Sequence, residues 1–329
     1  MNIGVIGYKG HSKKIIDLIS KDNSLKLIVF CRKIETSNKL NLSNNIKNIT
    51  YSSELKSLDD CEAVIIASSN ESHLDYIKYF LTKNTFILCE KPACIDLEEY
   101  NFLKNLSSDQ KKKIYFNFNL KKSILFELID SLLRKNNYGN LFHISISMSY
   151  GIAFKSSFQN NWRSKKDNIF QTIAGNLGIH YVNLLEHFFE ETSNIFINFS
   201  SVANKNFIDT SNININFKKN ITSSIFLSYA SPYSNSIILH FTDAIIEINN
   251  GLVKEFSPRD CYDSNGLFIS PNEKIVKKIP KDLISKSLEN SLDYFILKVK
   301  NNDEFSISDF DKNIESSLTL INSNYFGFK

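Results

Sequence analysis

The stretch Thr85-Phe86-Ile87-Leu88-Cys89-Glu90-Lys91-Pro92 decides the fold class. Its first five residues are apolar or β-prone and carry no charge, which is typical of a strand buried on both faces of a parallel sheet. The strand ends abruptly at Glu90. In an open α/β sheet, ligands bind beyond the carboxyl ends of the strands, so Lys91, on a turn that Pro92 fixes, is placed to face a ligand. By itself the tripeptide is equally compatible with a solvated loop lysine.

A glycine turn follows the first predicted strand of the chain. Residues 2–6 form a short apolar run, and residues 13–19 have helical periodicity. We expect Gly4 and Gly7 to permit a tight turn with close approach of the backbone to a pyrophosphate, and Gly10 to permit close packing of helix and strand. The spacing differs from the commoner G-x-G-x-x-G, and a purely structural turn is the alternative. The cofactor contacts expected here are Gly4, Gly7, Tyr8, Lys9, Gly10 and His11.

The second predicted strand, Leu25 to Phe30, ends without an acidic residue. A NAD-binding protein usually has an acid here, against the ribose 2′-hydroxyl. This chain instead has Arg32 and Lys33 after Cys31. Because these cations can meet a 2′-phosphate, the sequence predicts NAD or NADP as the cofactor, with a slight preference for NADP. The alternative is that both residues are exposed loop charges.

A third buried strand, Ala63 to Ala67, is followed by an amphipathic helix from about Leu74 to Leu81. The carboxyl end of this strand is where a nicotinamide ribose would lie. Asn70 or Ser72 can equally cap the helix, and the two roles are compatible. Asn84 follows the helix, where a left-handed residue is needed. The cofactor contacts expected in this segment are Ser68, Ser69, Asn70 and His73.

Composition and charge indicate a soluble chain with two domains. The 329 residues are 42% hydrophobic and 22% charged, enough for two buried cores. The net charge of +4 is spread along the chain, which excludes an obvious nucleic-acid partner. The five cysteines lack zinc-ligand and C-x-x-C spacing, so we expect no metal site and small buried thiols in a reducing compartment. The first strand begins at residue 2 and no apolar run reaches membrane-spanning length. We therefore expect no signal peptide, no membrane partner and a cytoplasmic location.

From Leu141 onward the sequence changes to short runs that alternate with period two. These runs are rich in Ile, Phe, Ser and Asn, and most are joined by turns without crossover helices. The fold class is therefore α/β, with a Rossmann dinucleotide-binding domain over 1–120 and a second α/β domain over 121–329. The second domain has a large, mostly antiparallel, open sheet. Its predicted strands are 141–149, 194–200, 212–217, 222–229, 235–241, 244–248 and 252–256.

Three landmarks in this order resemble the Gfo/Idh/MocA oxidoreductase family. They are the glycine turn from Gly4, Ala-Ser-Ser-Asn-x-x-His at 67–73 and Cys-Glu-Lys-Pro at 89–92. The family pattern in the second landmark is Ala-Thr-Pro-Asn-x-x-His, from which Ser68 and Ser69 depart conservatively. The Glu-Lys-Pro element is the most specific of the three.

The resemblance implies roles for the residues after the fourth predicted strand of this half. Lys91 corresponds to a catalytic or substrate-binding lysine, and the Lys91–Pro92 peptide bond is expected to be cis. Glu90 and Lys91 are also expected to contact the cofactor. The predicted helices at 288–299 and 312–321 are expected to pack back on the first domain. The open sheet is expected to form the interface of a homo-oligomer, either a dimer or a tetramer.

A predicted helix over 174–189 carries the most informative side chains of the second half. Asn176, His180 and Asn183 are three or four residues apart and so share a polar face. A helix with a polar and an apolar face lies between a core and a cleft. Taken alone, a histidine on a helix is more often structural, but the polar row and the family pattern favour a functional role. The apolar face consists of Leu177, Tyr181, Leu184, Leu185 and Phe188.

The family signature in this region is Gly-Gly-x-x-x-Asp-x-Gly-x-His-x-x-Asp, and this chain keeps Gly178 and His180. Asn176 and Asn183 replace the two aspartates. The resemblance implies that His180 is the catalytic acid/base and that Asn176 binds substrate or tunes the catalytic pair. Since asparagine does not exchange protons, a mechanism that depends on aspartate is in doubt. Some family members that act on nucleotide-linked amino sugars carry asparagine at this position.

Three further residues are substrate-pocket candidates. Trp162 and Arg163 precede the predicted His180 helix, and such a pair can stack on a sugar and bind its phosphate or carboxylate. Lys155 is the third candidate. The alternative is a packed tryptophan that anchors a loop beside a surface arginine.

Together these expectations describe a NAD(P)-dependent oxidoreductase that acts on a hydroxyl or keto group of a sugar or nucleotide-linked sugar. His180 takes the hydroxyl proton, Lys91 polarises the developing carbonyl, and both converge on one cavity. Asn176 holds the substrate or orients either partner. One alternative is a non-catalytic regulator that binds sugar and NAD(P) on the same fold. Another is glycoside cleavage by transient oxidation.

Overall fold

The computed structural model describes residues 1–43, 46–135, 137–159, 168–256, 261–270 and 273–327. The chain divides into two compact units. The first unit comprises Met1–Lys122 and Ser287–Leu318, and the second comprises Ser123–Lys286 and Thr319–Lys329.

The described residues form fifteen strands and ten helices. The strands are β1 (Asn2–Ile6), β2 (Lys26–Phe30), β3 (Ile49–Ser52), β4 (Ala63–Ile66), β5 (Phe86–Glu90), β6 (Ile114–Asn117), β7 (Leu141–Ser149), β8 (Thr192–Ser200), β9 (Thr210–Phe217), β10 (Thr222–Ser228), β11 (Ser234–Phe241), β12 (Ile245–Asn249), β13 (Leu252–Phe256), β14 (Glu273–Lys278) and β15 (Asn324–Phe326). The helices are α1 (His11–Ile19), α2 (Ile34–Ser43), α3 (His73–Leu81), α4 (Leu97–Lys104), α5 (Ser108–Lys111), α6 (Ile124–Arg134), α7 (Ser156–Gln159), α8 (Ile179–Phe189), α9 (Ser287–Lys300) and α10 (Ile307–Ile321). None of these helices is both long enough and apolar enough to cross a membrane.

The first unit is built on a parallel sheet in the order β3-β2-β1-β4-β5-β6. The strand order reverses between β1 and β4, which is where ligands bind in open sheets of this kind. Strands β4 and β5 are buried along their whole length, as their apolar runs predict. Strand β3 was not predicted, because an edge strand with the sequence Ile-Thr-Tyr-Ser has little apolar signal.

Helices α1 and α9 cover part of this sheet. Ile15, Ile16 and Ile19 of α1 lie in one core cluster with the apolar residues of β1, β2, β4 and β5. The same cluster contains side chains of α9 and the loop after it. Residues far apart in sequence therefore share one core, in which the largest stabilising term is burial of apolar surface. The residues of α9 and its following loop in the cluster are Leu292, Phe295, Ile296, Val299 and Phe305.

The second unit is built on a mostly antiparallel sheet. Within the described ranges its order is β14-β13-β12-β11-β7-β10-β9-β8-β15, and the pairs β7–β10 and β8–β15 are parallel. Ile144, Ile146 and Met148 of β7 are buried while the residues between them are partly exposed, so the period-two pattern separates a core face from an outer face. The α/β fold class with these two sheets is confirmed.

Two edge strands of this sheet were not predicted. Strand β14 has the sequence Glu-Lys-Ile-Val-Lys-Lys, and β15 has only three residues, all exposed. Neither strand has a buried face, so neither has the alternation from which strands are predicted.

The cysteines are free thiols. Cys31, Cys61, Cys89 and Cys94 are buried, and Cys261 is partly exposed. The expectation of small buried side chains therefore holds for four of the five.

Candidate cofactor and substrate sites

The glycine turn after β1 is fixed by its contact with the end of β4. Gly7 has a φ of 114°, and a Cβ there would lie 2.5 Å from Ser12 Oγ and 2.6 Å from the Ala67 carbonyl oxygen. Ser12 in α1 donates a hydrogen bond to that same carbonyl at 2.6 Å. Only glycine fits at position 7. The hydrogen bond from Ser12 ties the start of α1 to the residue that directly follows β4.

The predicted roles of the two outer glycines are wrong. Gly4 lies within β1 rather than in the turn, and a Cβ there would lie 2.8 Å from the side chain of Leu58. It is therefore a packing glycine. Gly10 has a φ of 57° and no atom within 4 Å of the position of a Cβ, so it does not serve close packing of helix and strand. The open space lies in front of Gly10, directly before the N-terminus of α1, where an anion is favoured.

A buried carboxylate lies beside this turn. His11 is the first residue of α1, and its Nε2 lies 3.0 Å from Glu90 Oε1. The amide of Asn117, at the end of β6, donates to the same oxygen at 2.6 Å. The Glu90 side chain is only 9% exposed, whereas that of His11 is 47% exposed. We call His11, Glu90 and Asn117 the carboxylate cluster.

The carboxylate cluster keeps Glu90 ionised. Burial by itself raises the pKa of Glu90, but the His11 ring, the Asn117 amide and the Lys91 ammonium lower it, and the net result is a pKa of about 2. Oε2 of Glu90 accepts no hydrogen bond from any residue within the described ranges. A buried carboxylate with one uncommitted oxygen is suited to accept a hydrogen bond from a ligand hydroxyl.

Hydrogen bonds continue from the cluster into the core. Ser291 of α9 donates to Asn117 Oδ1 at 2.6 Å, and the Tyr115 hydroxyl lies 2.8 Å from Ser291 Oγ. Burial raises the pKa of Tyr115 well above its usual range, so this phenol stays protonated. The network holds the Asn117 amide, and hence Glu90, in one orientation.

The turn that carries Lys91 is rigidly held. The Lys91–Pro92 peptide bond is cis, which confirms the prediction. Lys91 is half-buried and Pro92 is buried. The next amide, from Ala93, donates to Ser317 Oγ of α10 at 3.1 Å.

His73 supports this turn from inside the protein. Its ring is 2% exposed, with Nε2 3.3 Å from the Ser68 carbonyl oxygen and Nδ1 3.5 Å from the Pro92 carbonyl oxygen. Burial lowers its pKa, so the ring is neutral near pH 7. The sequence-based expectation that His73 contacts the cofactor is therefore wrong. The ring joins the loop after β4 to the Lys91 turn.

The serine segment after β4 is held by its own hydroxyls. Ser72 Oγ donates to the Ser69 carbonyl oxygen at 2.8 Å and lies 2.8 Å from Ser68 Oγ. Ser72 precedes α3 but makes no side-chain capping bond to it, and Asn70 lies in the 3₁₀ turn before this helix. Ser69 is exposed, and Ser68 and Asn70 are half-buried at the carboxyl end of β4.

Arg32 and Lys33 lie at the carboxyl end of β2. Both are exposed, whereas Cys31 before them is buried. The acid that usually follows this strand is absent from the sequence, and the first acidic residue after the pair is Glu35 in the first turn of α2. Within the first unit, the glycine turn, the serine segment, Lys91 and this cationic pair all follow the carboxyl ends of parallel strands.

In the second unit, the predicted helix over 174–189 is two segments. A π-helical turn at Ala174–Gly178 leads into α8. A Cβ at Gly178 would lie 2.6 Å from Ile213 and 3.1 Å from Leu227, side chains of β9 and β10. Gly178 therefore lets the start of α8 lie directly on the buried face of the sheet. π-helical turns are rare and are frequent at functional sites.

The three polar residues of this segment are not equally placed. Asn176 and His180 are half-buried, but Asn183 is only 2% exposed. The prediction of one polar face with all three is therefore wrong for Asn183, whose side chain is buried in α8. Leu177 and Phe188 of the predicted apolar face are likewise only half-buried.

Asn176 binds a tyrosine that the sequence did not reveal. Its Nδ2 donates to the hydroxyl of Tyr229 at 2.8 Å. Tyr229 directly follows β10, and its ring is stacked on Tyr150 with 6.5 Å between centroids. We call Asn176, Tyr229 and Tyr150 the Asn176 cluster. Because 53 residues separate Asn176 from Tyr229, no local pattern links them. The available signal was that Tyr150 directly follows one predicted strand and Tyr229 ends another.

Of the three remaining substrate-pocket candidates, the structure describes one. Lys155 is exposed in the loop before α7. Trp162 and Arg163 lie outside the residues that the structure describes.

Comparison with known proteins agrees with this architecture. Residues 1–118 match the family described as oxidoreductase family, NAD-binding Rossmann fold, and residues 126–247 match the GFO/IDH/MocA C-terminal domain. Glucose-6-phosphate 3-dehydrogenase of Bacillus subtilis (strain 168) is 25% identical over 194 residues, which cover 57% of this chain and 53% of the relative. The chain thus aligns with about half the length of that relative.

Solved structures share the fold over nearly the whole chain. An oxidoreductase from Agrobacterium radiobacter in complex with NAD+, L-tartaric acid and magnesium has a TM-score of 0.75 at 15% identity, with 98% of this chain and 95% of that chain covered. UDP-N-acetylglucosamine 3-dehydrogenase from Acidithiobacillus ferrooxidans has a TM-score of 0.72 at 12% identity, with 98% and 97% covered. With both of its domains matched, the chain belongs to the Gfo/Idh/MocA oxidoreductase family.

Proposed function

We propose that this protein is a NAD(P)-dependent dehydrogenase or reductase that acts on a CH–OH group of a sugar or nucleotide-linked sugar. The observation that carries the proposal is the His11–Glu90 contact of 3.0 Å. His11 begins α1, whose N-terminus suits a pyrophosphate, and Glu90 directly precedes Lys91. The contact therefore links these two parts of the first unit. It supports a dinucleotide site close to Lys91 in that unit.

The residues of the first unit fit a dinucleotide. Open space before Gly10 and the free amides at the start of α1 suit the pyrophosphate, with Tyr8 and Lys9 beside them. Oε2 of Glu90, which takes no hydrogen bond from the described residues, suits a ribose hydroxyl. Ser68, Ser69 and Asn70 would line the same edge of the sheet. When bound, the nicotinamide supplies the hydride acceptor or donor.

The chain itself supplies the proton chemistry. In the oxidation direction His180 accepts the proton of the substrate hydroxyl as the C–H hydride leaves, and it returns the proton in reduction. Lys91 donates a hydrogen bond to a substrate oxygen and stabilises a developing carbonyl. Asn176 cannot exchange a proton, so its part is to hold the substrate or to orient His180.

Arg32 and Lys33 favour NADP over NAD. They are two exposed cations at the strand end where a NAD enzyme usually has an acid. The measurement that decides is the ratio of dissociation constants for NADPH and NADH. Arg32→Ala should weaken NADPH binding about tenfold and leave NADH binding unchanged.

The substrate class rests on the family and on the named relatives. One is a glucose-6-phosphate 3-dehydrogenase, and another is an inositol 2-dehydrogenase from Rhizobium meliloti (strain 1021), which is 26% identical over 103 residues that cover 30% of this chain and 31% of that relative. The test is to follow nicotinamide absorbance with a panel of sugars, sugar phosphates, cyclitols and nucleotide-linked sugars, in both directions. Turnover of at least one panel member that is lost in His180→Ala supports the proposal.

A second candidate function is a regulator that binds sugar and NAD(P) without turnover. Asparagine in place of aspartate at positions 176 and 183 favours it. Tight cofactor binding together with no absorbance change across the whole panel would select the regulator and reject the enzyme.

We further propose that the protein is a cytoplasmic homo-oligomer. The outer face of the second sheet supports the assembly, since Ser145 and Ser147 of β7 and Ser224 of β10 are uncharged, partly exposed residues on it. The buried free thiols support a reducing compartment. Sedimentation of the wild type and of Ser145→Arg distinguishes a dimer or tetramer on this face from a monomer.

A further inference from the structure

We propose that Ser291 of α9 and Ser317 of α10 are positioning residues, which hold the chain on the two sides of Lys91. The inference rests on the proposed function, in which Lys91 stabilises a developing carbonyl. It gives the two C-terminal helices a part in the reaction beyond their packing in the core. All the residues concerned belong to the first unit.

The backbone after Lys91 is held by α10. Pro92 has no N–H group, so the Ala93 amide is the first backbone donor after Lys91. This amide donates to Ser317 Oγ at 3.1 Å, and both residues are buried. The Ser317 hydroxyl in turn donates to the carbonyl oxygen of Asn313, one turn earlier in α10, at 3.4 Å. The serine oxygen is therefore fixed where it accepts the Ala93 amide.

Glu90, the residue before Lys91, is held by α9 through Asn117. Ser291 donates to Asn117 Oδ1 at 2.6 Å, and Asn117 Nδ2 donates to Glu90 Oε1 at 2.6 Å. A serine has one proton to donate, so the Tyr115 hydroxyl, 2.8 Å away, is the group that donates to Ser291 Oγ. The direction of each bond in this chain is thus fixed. Because Ser291 and Asn117 are both buried, the amide cannot turn over without the loss of both its bonds.

Lys91 lies between these two held residues. A lysine carries its ammonium on a flexible four-carbon chain, so the place of that charge depends on a fixed backbone. A misplacement of about 1 Å in a reacting group can lower the rate by about a hundredfold. The serines that hold the turn lie 174 residues beyond Asn117 and 224 residues beyond Ala93. The geometry therefore assigns the placement of Lys91 to the C-terminal helices as well as to the strand that precedes it.

The test is to introduce Ser317→Ala into the wild type and into the Lys91→Ala variant. In the wild type, kcat should fall about tenfold while the cofactor dissociation constant stays within about twofold. In the Lys91→Ala background, the residual kcat should not change, because the effect of Ser317 passes through Lys91. A merely structural role would instead lower kcat by the same factor in both backgrounds.

Ser291→Ala should show the same dependence of kcat on Lys91. It should also raise the cofactor dissociation constant about fivefold, since it releases Asn117 and Glu90 is proposed to bind the ribose. Ser287→Ala is the matched control. Ser287 is a buried serine of the same helix whose Oγ accepts a hydrogen bond of 2.8 Å from Asn119, so the variant loses a bond of the same kind away from Lys91. Its kcat should equal that of the wild type.

Hydrogen exchange over residues 91–95, measured by mass spectrometry, tests the same contact without turnover. Exchange should be faster in Ser317→Ala than in the wild type and unchanged in Ser287→Ala. Equal losses of kcat in the two backgrounds, or unchanged exchange in Ser317→Ala, would overturn the inference and leave the proposed function standing. Absence of turnover with every panel member would instead overturn the proposed enzyme, and with it the role of both serines in the reaction.

Discussion

The carboxylate cluster of the first unit and the Asn176 cluster of the second differ in the kind of interaction that holds them. Glu90 is a buried charge fixed by a ring and an amide, with hydrogen bonds that continue to Ser291. Asn176 and Tyr229 are neutral, joined by one hydrogen bond of 2.8 Å, and backed by a stacked ring. The first arrangement is costly to disturb because a buried charge loses its partners. The second arrangement is held mainly by packing, so a substitution there should have a smaller effect. The fixed charge of the carboxylate cluster suits the binding of a cofactor whose polar groups do not vary. The neutral, aromatic Asn176 cluster suits selection among uncharged substrate hydroxyls.

The largest effect should come from removing the two proposed catalytic groups. His180→Ala and Lys91→Ala should each lower kcat by roughly 10²–10⁴-fold, because a positioned acid/base or a charge on the developing oxygen is lost. Cofactor affinity should stay within a few fold of wild type in His180→Ala. Steady-state kinetics and cofactor titration measure the two quantities. The control is His240→Gln on the outer face of the second sheet, which should have wild-type kinetics.

The next effect concerns the charge in the carboxylate cluster. Glu90→Gln should lower the free energy of unfolding by about 1–3 kcal/mol near pH 7, since the charge-assisted bond to His11 is lost. The folded pKa of Glu90 is about 2, below its unfolded value of 4.5, so the stabilisation is present above pH 4.5 and is lost as the pH falls toward 2. The stability difference between wild type and Glu90→Gln should therefore shrink over that window. Denaturant unfolding at several pH values measures it, and a constant difference would refute the assignment.

The two clusters also differ in how well the sequence predicts them. The glycine turn, the serine segment and Glu90-Lys91 are each contiguous with an apolar strand, so their common edge of the sheet could be predicted, as could the cis bond from the family motif. The roles of Gly4 and Gly10 were wrong because spacing alone does not tell which glycine packs against Leu58 and which faces open space. His73 was predicted to contact the cofactor from its place in the motif at 67–73, and a motif does not reveal that the ring is buried.

The Asn176 cluster could not be predicted to the same depth. Asn176 was found from the helical row and the family signature, but its partner lies on another strand, and pairing at such a distance leaves no trace in one sequence. The π-helical turn at Ala174–Gly178 also has no sequence signal of its own. The burial of Asn183 could not be predicted either, because spacing along a helix does not tell which polar residue faces the core.

Tyr229→Phe should have a moderate effect on the neutral cluster. It removes the hydroxyl that accepts the Asn176 amide, worth about 1 kcal/mol, so kcat/KM should fall about fivefold with cofactor affinity unchanged. Tyr150→Phe keeps the stacked ring and makes the matched control, with kcat/KM near wild type. An equal loss in both variants, or none in Tyr229→Phe, would argue against a positioning role for this hydrogen bond.

The smallest effect should come from the histidine pair on the outer face of the second sheet. The rings of His143 and His240 lie 5.4 Å apart, and burial lowers the pKa of both; His240 lowers that of His143 further. A lowered folded pKa gives stability that is present above the unfolded value of 6.5 and is lost as the pH falls through the folded value. The Tm of wild type should therefore drop slightly more between pH 7 and 5 than that of His143→Gln. Thermal unfolding by circular dichroism measures this difference.

The measurement that tests the account most directly is a double-mutant cycle between Lys91 and His180 on kcat, with the preferred substrate of the panel. If both residues act in the same chemical step, the double variant Lys91→Ala/His180→Ala should be scarcely slower than the slower single variant. If the loss of kcat in the double variant is instead the product of the losses in the two single variants, the two residues do not act in one step. Full turnover in either single variant would contradict the dehydrogenase mechanism itself.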